Sequence, residues 1–93
     1  MQVALTYEEF LLEQEQTKNQ LKYYCDNMRH LVCKPYSVQN LHLMADDLGI
    51  ARAWFHRDHY DIPKKRIPEI QAKVNVVRPR DILMIIKRED TLD

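Results

Sequence analysis

Glycine is nearly missing from this chain: Gly49 stands alone among 93 residues. A loop that cradles phosphate needs several glycines to bring backbone N–H groups against the anion, so the common nucleotide fingerprints are excluded. Cysteine is scarce as well. Cys25 and Cys33 have no C-x-x-C spacing, and in a chain with no secretory signal they read as free thiols. Neither sign of charge is in excess, since Lys plus Arg and Asp plus Glu number 14 each and the formal net charge is zero. Without a global field, long duplex DNA and anionic membrane are poor partners, and any anion contact must come from a local patch. Long apolar runs are wanting too. The longest, Ile82-Leu83-Met84-Ile85-Ile86, falls far below the roughly 20 residues that a spanning helix needs. The N-terminal stretch carries Glu8, Glu9 and Glu13 where a signal peptide has a basic start and an apolar run, so the expected location is cytoplasmic.

What is present fits one small domain. A chain of this length buries roughly 60–65% of the surface that it exposes unfolded, enough for a single core. Thr6 and Glu9 make a capping box, and Leu5 and Phe10 a hydrophobic staple, so a helix starts near Tyr7. Residues 13–20 are polar all round, which makes residues 1–20 an N-terminal helical extension that either packs loosely on the domain or serves a homodimer. Leu21 to Cys25 reads as a strand ending in a turn that leaves Asp26 at its carboxyl end. From Arg29 to Tyr36 the chain reads as irregular. Ser37 then caps a helix whose apolar face runs through Val38, Leu41, Ala45 and Leu48 and stops at Gly49. Ala51 to Phe55 is a short strand or bridge anchored in the core by Trp54 and Phe55. Lys64 to Lys73 is helical with Pro68 in its first turn, and Val74 to Val77 is a brief strand broken by Pro79. Asp81 caps a last helix, and residues 89–93 form a frayed tail. This alternation predicts, for residues 21–93, a small single-domain α/β sandwich: a short, mostly parallel sheet of about three strands with helices packed on it.

The chemistry concentrates in His56-Arg57-Asp58-His59-Tyr60-Asp61-Ile62-Pro63, which sets two imidazoles, two carboxylates, a guanidinium and a phenol side by side. Three readings compete. In the first, His30, His56 and His59, joined by His42 or by Asp26, Asp58 or Asp61, hold a divalent metal such as Zn²⁺, although no established ligand spacing is present. In the second, His42 or His59 moves a proton while Asp26 or Asp61 fixes the ring's tautomer, giving a hydrolytic or phosphoryl-directed catalytic set. In the third, the same residues are a satisfied polar network that only locks loops together. Beside them Lys64, Lys65 and Arg66, with Arg57 and Tyr60, make the best anion-holding patch in the chain, suited to a nucleotide or another phosphorylated small ligand.

Taken together, Tyr24-Cys25-Asp26-Asn27-Met28-Arg29, His30-Leu31-Val32-Cys33, Pro35-Tyr36-Ser37, Asn40-Leu41-His42, Leu48-Gly49-Ile50, Trp54 and His59-Tyr60-Asp61-Ile62-Pro63 carry a resemblance. Over roughly residues 21–88 the chain resembles the bacterial and phage domain-of-unknown-function family numbered four thousand and thirty-one. That resemblance implies a signature containing Asp26, His42, His59, Tyr60 and Asp61 and a phage or bacterial source, but no activity. Members often have two aspartates after the first strand, where this chain has Asp26 and Asn27. The expectation is a domain that binds or hydrolyses a phosphorylated small ligand. The rival is a non-catalytic interaction module, such as a phage-encoded effector of a host protein, with a purely structural His/Asp cluster.

Overall fold

The computed structural model describes residues 20–89, so the helical extension, its dimer role and most of the C-terminal tail lie outside the described residues. Five strands form one sheet: β1 (Lys22–Cys25), β2 (His30–Lys34), β3 (Phe55–His56), β4 (His59–Asp61) and β5 (Asn75–Val76), in the order β3-β4-β2-β1-β5. Among the described residues three α-helices accompany it: α1 (Val38–Leu48), α2 (Ile67–Lys73) and α3 (Pro79–Lys87). The α/β class holds, but the expected three-stranded, mostly parallel sheet does not. The β1–β2, β2–β4 and β3–β4 pairs are antiparallel, and β5 alone runs parallel to its neighbour β1.

The strand that reads as irregular in the sequence is the centre of this sheet. Leu31, Val32 and Cys33 of β2 are all fully buried. A strand covered on both faces shows no alternation of polar and apolar residues, and period-two patterning is what a sequence reading depends on. Register then sorts the side chains. Leu31 opposes both Tyr60 and Cys25, Cys33 opposes Tyr23, and Phe55 opposes Tyr60, so these six share one face. His30, Val32, Tyr24, His59, Asp61 and His56 occupy the other. Helix α1 covers the first face, where Tyr23 Oη donates to Asp47 at 2.7 Å and His42 lies against Phe55 and Tyr60. Helix α3 covers the second, through the buried Ile82 and Ile85. The result is a sheet between two helical layers.

Local chemistry explains the elements. Ser37 Oγ accepts from the Asn40 N–H at 3.0 Å to open α1. Gly49 closes that helix with φ of 71°, the left-handed conformation that a side chain disfavours. Pro79 opens α3 as its first helical residue and does not merely end β5, and Asp81 Oδ2 accepts from the Arg78 N–H at 3.1 Å. Of the short strand or bridge expected over residues 51–55 only Phe55 enters a strand, β3, because Arg52–Trp54 is a single 3-10 turn. Trp54 is 37% exposed and carries the Arg29 guanidinium 5.9 Å from its ring centroid, so Tyr60, fully buried, replaces it as the aromatic anchor. Cys25 and Cys33 are free and buried, and burial lifts their thiols to about 11 and about 12, far from nucleophilic use.

Arg66 fastens α2 to the end of α1. Its Nη1 donates to the Gly49 carbonyl at 2.8 Å, its Nη2 to the Leu48 carbonyl at 2.7 Å, and Nε and Nη2 grip Glu69. Hydrogen bonds from Arg66 and Lys73 hold the Glu69 carboxyl at about 2, below its usual 4.5. A depressed carboxylate adds stability above pH 4.5 that is lost as pH falls toward 2. Glu69→Gln should lower the melting temperature at neutral pH and make its fall across that acid window shallower than in the parent. Melting curves at a series of pH values check this, and an unchanged slope would count against the clamp.

Candidate functional site

The site begins with Asp26, a fully buried carboxylate in the turn between β1 and β2. Its Oδ1 accepts from the Met28 N–H at 2.9 Å and the His30 N–H at 3.1 Å, closing the hairpin turn. Its Oδ2 lies 2.7 Å from His30 Nδ1. A carboxylate only accepts hydrogen bonds, so this contact puts a ring proton on Nδ1, and in the neutral ring the Nε2 lone pair is then free. His30 sits at the start of β2, with its side chain 36% exposed.

The second half comes from the β3–β4 hairpin, which the sequence suggests only as a loop. Arg57 takes φ of 60° at its tip, and the Asp58 N–H donates back to the His56 carbonyl at 2.7 Å. Strand pairing then sets His59 and Asp61 beside His30, since His30 directly opposes Asp61. His59 Nδ1 is 2.8 Å from Asp58 Oδ1, and its Nε2 is 3.2 Å from Asp61 Oδ1. A neutral imidazole has one N–H and cannot satisfy two carboxylates; a second proton does so, and so does a cation shared between Nε2 and Asp61. The His30 and His59 rings meet edge to face, 5.0 Å apart. One ligand atom from each of His30, His59 and Asp61 lies within 4.8 Å of the others. Around a cation with bonds of about 2.0–2.2 Å, tetrahedral ligand atoms stand about 3.4 Å apart, so this set would have to draw together to hold one.

A cavity of about 220 Å³ opens beside the cluster. His30, Asp58 and His59 form its polar side, and Pro79, Ile82, Leu83 and Ile86 of α3 form its apolar side.

The sheet divides the residues that the sequence offers as one site. Asp26, His30, His59 and Asp61 come together, whereas His42 lies across the sheet. There His42 Nδ1 is 2.6 Å from Tyr60 Oη, in contact with Phe55, and burial followed by the Arg52 charge lowers its pKa from the ordinary histidine value. Tyr60 is fully buried, so it has no open ring face for a base. His56 shares a face with His59, its ring 5.5 Å away, but is exposed and outside the three-residue group. Arg57, Lys64 and Lys65 are exposed, while Arg66 is committed to Leu48, Gly49 and Glu69. None of these cations lines the cavity. His30 as the partner of Asp26 is the feature that sequence reasoning underweighted, and the D-x-x-x-H spacing across a tight turn is its trace.

Fold and site thus define a small α/β domain with a His/Asp cluster on one sheet face. Over residues 17–89 the chain matches the family described as Protein of unknown function (DUF4031), and it belongs to that family. No curated protein and no solved structure matches it.

Asp26→Ala leaves two turn N–H groups and the His30 ring without their acceptor, and should cost about 1–3 kcal/mol in urea unfolding. Asp58→Ala, at a half-exposed turn position, should stay within about 0.5 kcal/mol of the parent. Equal losses for the two would contradict the central role given to Asp26.

Proposed function

We propose that His30, His59 and Asp61 bind a divalent cation, through which the domain holds and hydrolyses a phosphorylated small molecule. The observation that carries this reading is the convergence of two imidazoles and one carboxylate within 4.8 Å, with Nδ1 of each ring against a carboxylate, Asp26 or Asp58. Outer carboxylates of that kind orient histidine ligands and raise their basicity. Two nitrogens and one oxygen suit Zn²⁺ or Mn²⁺ and leave positions open for water and substrate.

Electrostatics supports the cation in this reading. Asp26, Asp58 and Asp61 surround the site and, among the described residues, no Lys or Arg lines the cavity. Each carboxylate roughly 5 Å from a phosphate charge opposes it by about 3 kcal/mol at an effective dielectric of about 20. A divalent ion offsets two of those three charges and, in direct contact with the phosphate, would supply Lewis-acid stabilisation of the phosphoryl oxygens. In the hydrolysis, water oxygen bonds to phosphorus as the ester P–O bond breaks, and one water proton leaves with the alcohol. Lys64 and Lys65, exposed after β4, support the approach of an anion from outside the cluster.

Calorimetric titration of the dialysed full chain with Mn²⁺ and Zn²⁺ should give one equivalent bound, lost in His59→Ala and in Asp61→Ala. Asp26→Asn is the sharper variant. Its Oδ1 still closes the turn, but its amide turns a donor toward His30 Nδ1 and moves the ring proton to Nε2. Cation affinity should fall by about 10–100-fold while the melting temperature stays near the parent's. Absence of cation binding, or equal binding by all variants, would overturn the cation centre. Binding with no cation-dependent release of inorganic phosphate from phosphate esters would overturn the hydrolytic half.

A further inference from the structure

The chemical character of the ester group can be read from the cavity, an inference that rests on the cation-bound phosphate just proposed. The space of about 220 Å³ has two unlike walls: His30, His59 and Asp58 on the sheet side, and Ile82, Leu83 and Ile86 on α3. Leu83 is 57% exposed, so this aliphatic side chain faces the opening without being claimed by the core. The α3 wall offers carbon only, with no side-chain donor or acceptor to read the edge of a base or the hydroxyls of a ribose. A stacking partner is missing as well, because Tyr60 is buried on the opposite face and the described cavity lining contains no aromatic ring other than the two histidines. The volume falls below the roughly 300–1,000 Å³ usual for sites that enclose drug-sized ligands, which suits a group of a few carbons up to a single ring.

We propose that the ligand is a phosphate monoester of a small apolar alcohol or phenol, its phosphate on the His30, His59 and Asp61 cation and its carbon group against Ile82, Leu83 and Ile86, and that nucleotides are not ligands of this site. The same small space is lined by His30, Asp58 and His59 and by aliphatic residues of α3, so a molecule joining an anionic head directly to an apolar body meets both kinds of lining at once.

The test uses the full chain loaded with Mn²⁺ and compares phenyl phosphate, butyl phosphate, inorganic phosphate and adenosine monophosphate by competition calorimetry. Phenyl and butyl phosphate should bind about tenfold more tightly than inorganic phosphate, the scale of a modest apolar burial, and more tightly than the nucleotide. Leu83→Gln, a substitution at an exposed helical position that keeps good helix propensity, should bring phenyl phosphate down to the level of inorganic phosphate and leave Mn²⁺ uptake intact. Ile86→Ala should reduce the same preference in part. Tighter binding of adenosine monophosphate than of phenyl phosphate, or an undiminished phenyl preference in Leu83→Gln, would overturn the assignment. Failure to take up Mn²⁺ would overturn both this inference and the cation centre, whereas Mn²⁺ uptake with no apolar preference would overturn this one alone.

Discussion

One buried carboxylate governs the arrangement. Asp26 accepts two backbone N–H groups of its own turn and faces the His30 ring with its remaining oxygen. The first pair of bonds ends β1 and starts β2, so the register of the central hairpin and the orientation of the imidazole are fixed by the same side chain. A further tie reaches this point from α2, where Gln71 Nε2 donates to the Asp26 carbonyl at 3.3 Å. Stability and site geometry are therefore linked at Asp26, and a charge held there by directional bonds offsets the cost of taking it out of water.

The rest of the cluster is more open. Asp58 and Asp61 are partly exposed, and their two contacts with His59 exceed what a neutral ring can satisfy. An acidic, imidazole-rich patch of this kind is poor at holding an anion alone and well suited to a cation. That contrast separates it from the basic run at Lys64 to Arg66, whose third member is fully engaged in joining α2 to α1.

Much of the fold is legible in the sequence where local chemistry decides the outcome. Ser37 and Gly49 delimit α1 as their residue types require, and Asp26 ends β1 as expected. The sequence misleads where tertiary context decides. His30 to Lys34 shows no alternation because helices cover both faces of β2, and residues 56–61 look like a loop because the strands of their hairpin are only two and three residues long. The same blindness affects the candidate site. A list of histidines and aspartates carries no record of which side of a sheet each one occupies, so His42 reads as the equal of His59 although the two lie on opposite faces of the sheet. Nor does the aliphatic pattern of α3 distinguish the residues that fill the core, Ile82 and Ile85, from Leu83, which borders open space.

His59, Tyr60 and Asp61 are three consecutive letters addressed to two different environments. The outer two face the polar cluster and the middle one fills the core beneath α1. In a strand with side-chain period two, inserting or deleting one residue between Phe55 and Ile62 exchanges these addresses, burying an imidazole and a carboxylate and turning the phenol outward. The hairpin is thus a reading frame in space: it accepts changes of letter one at a time, but changes of length only in pairs.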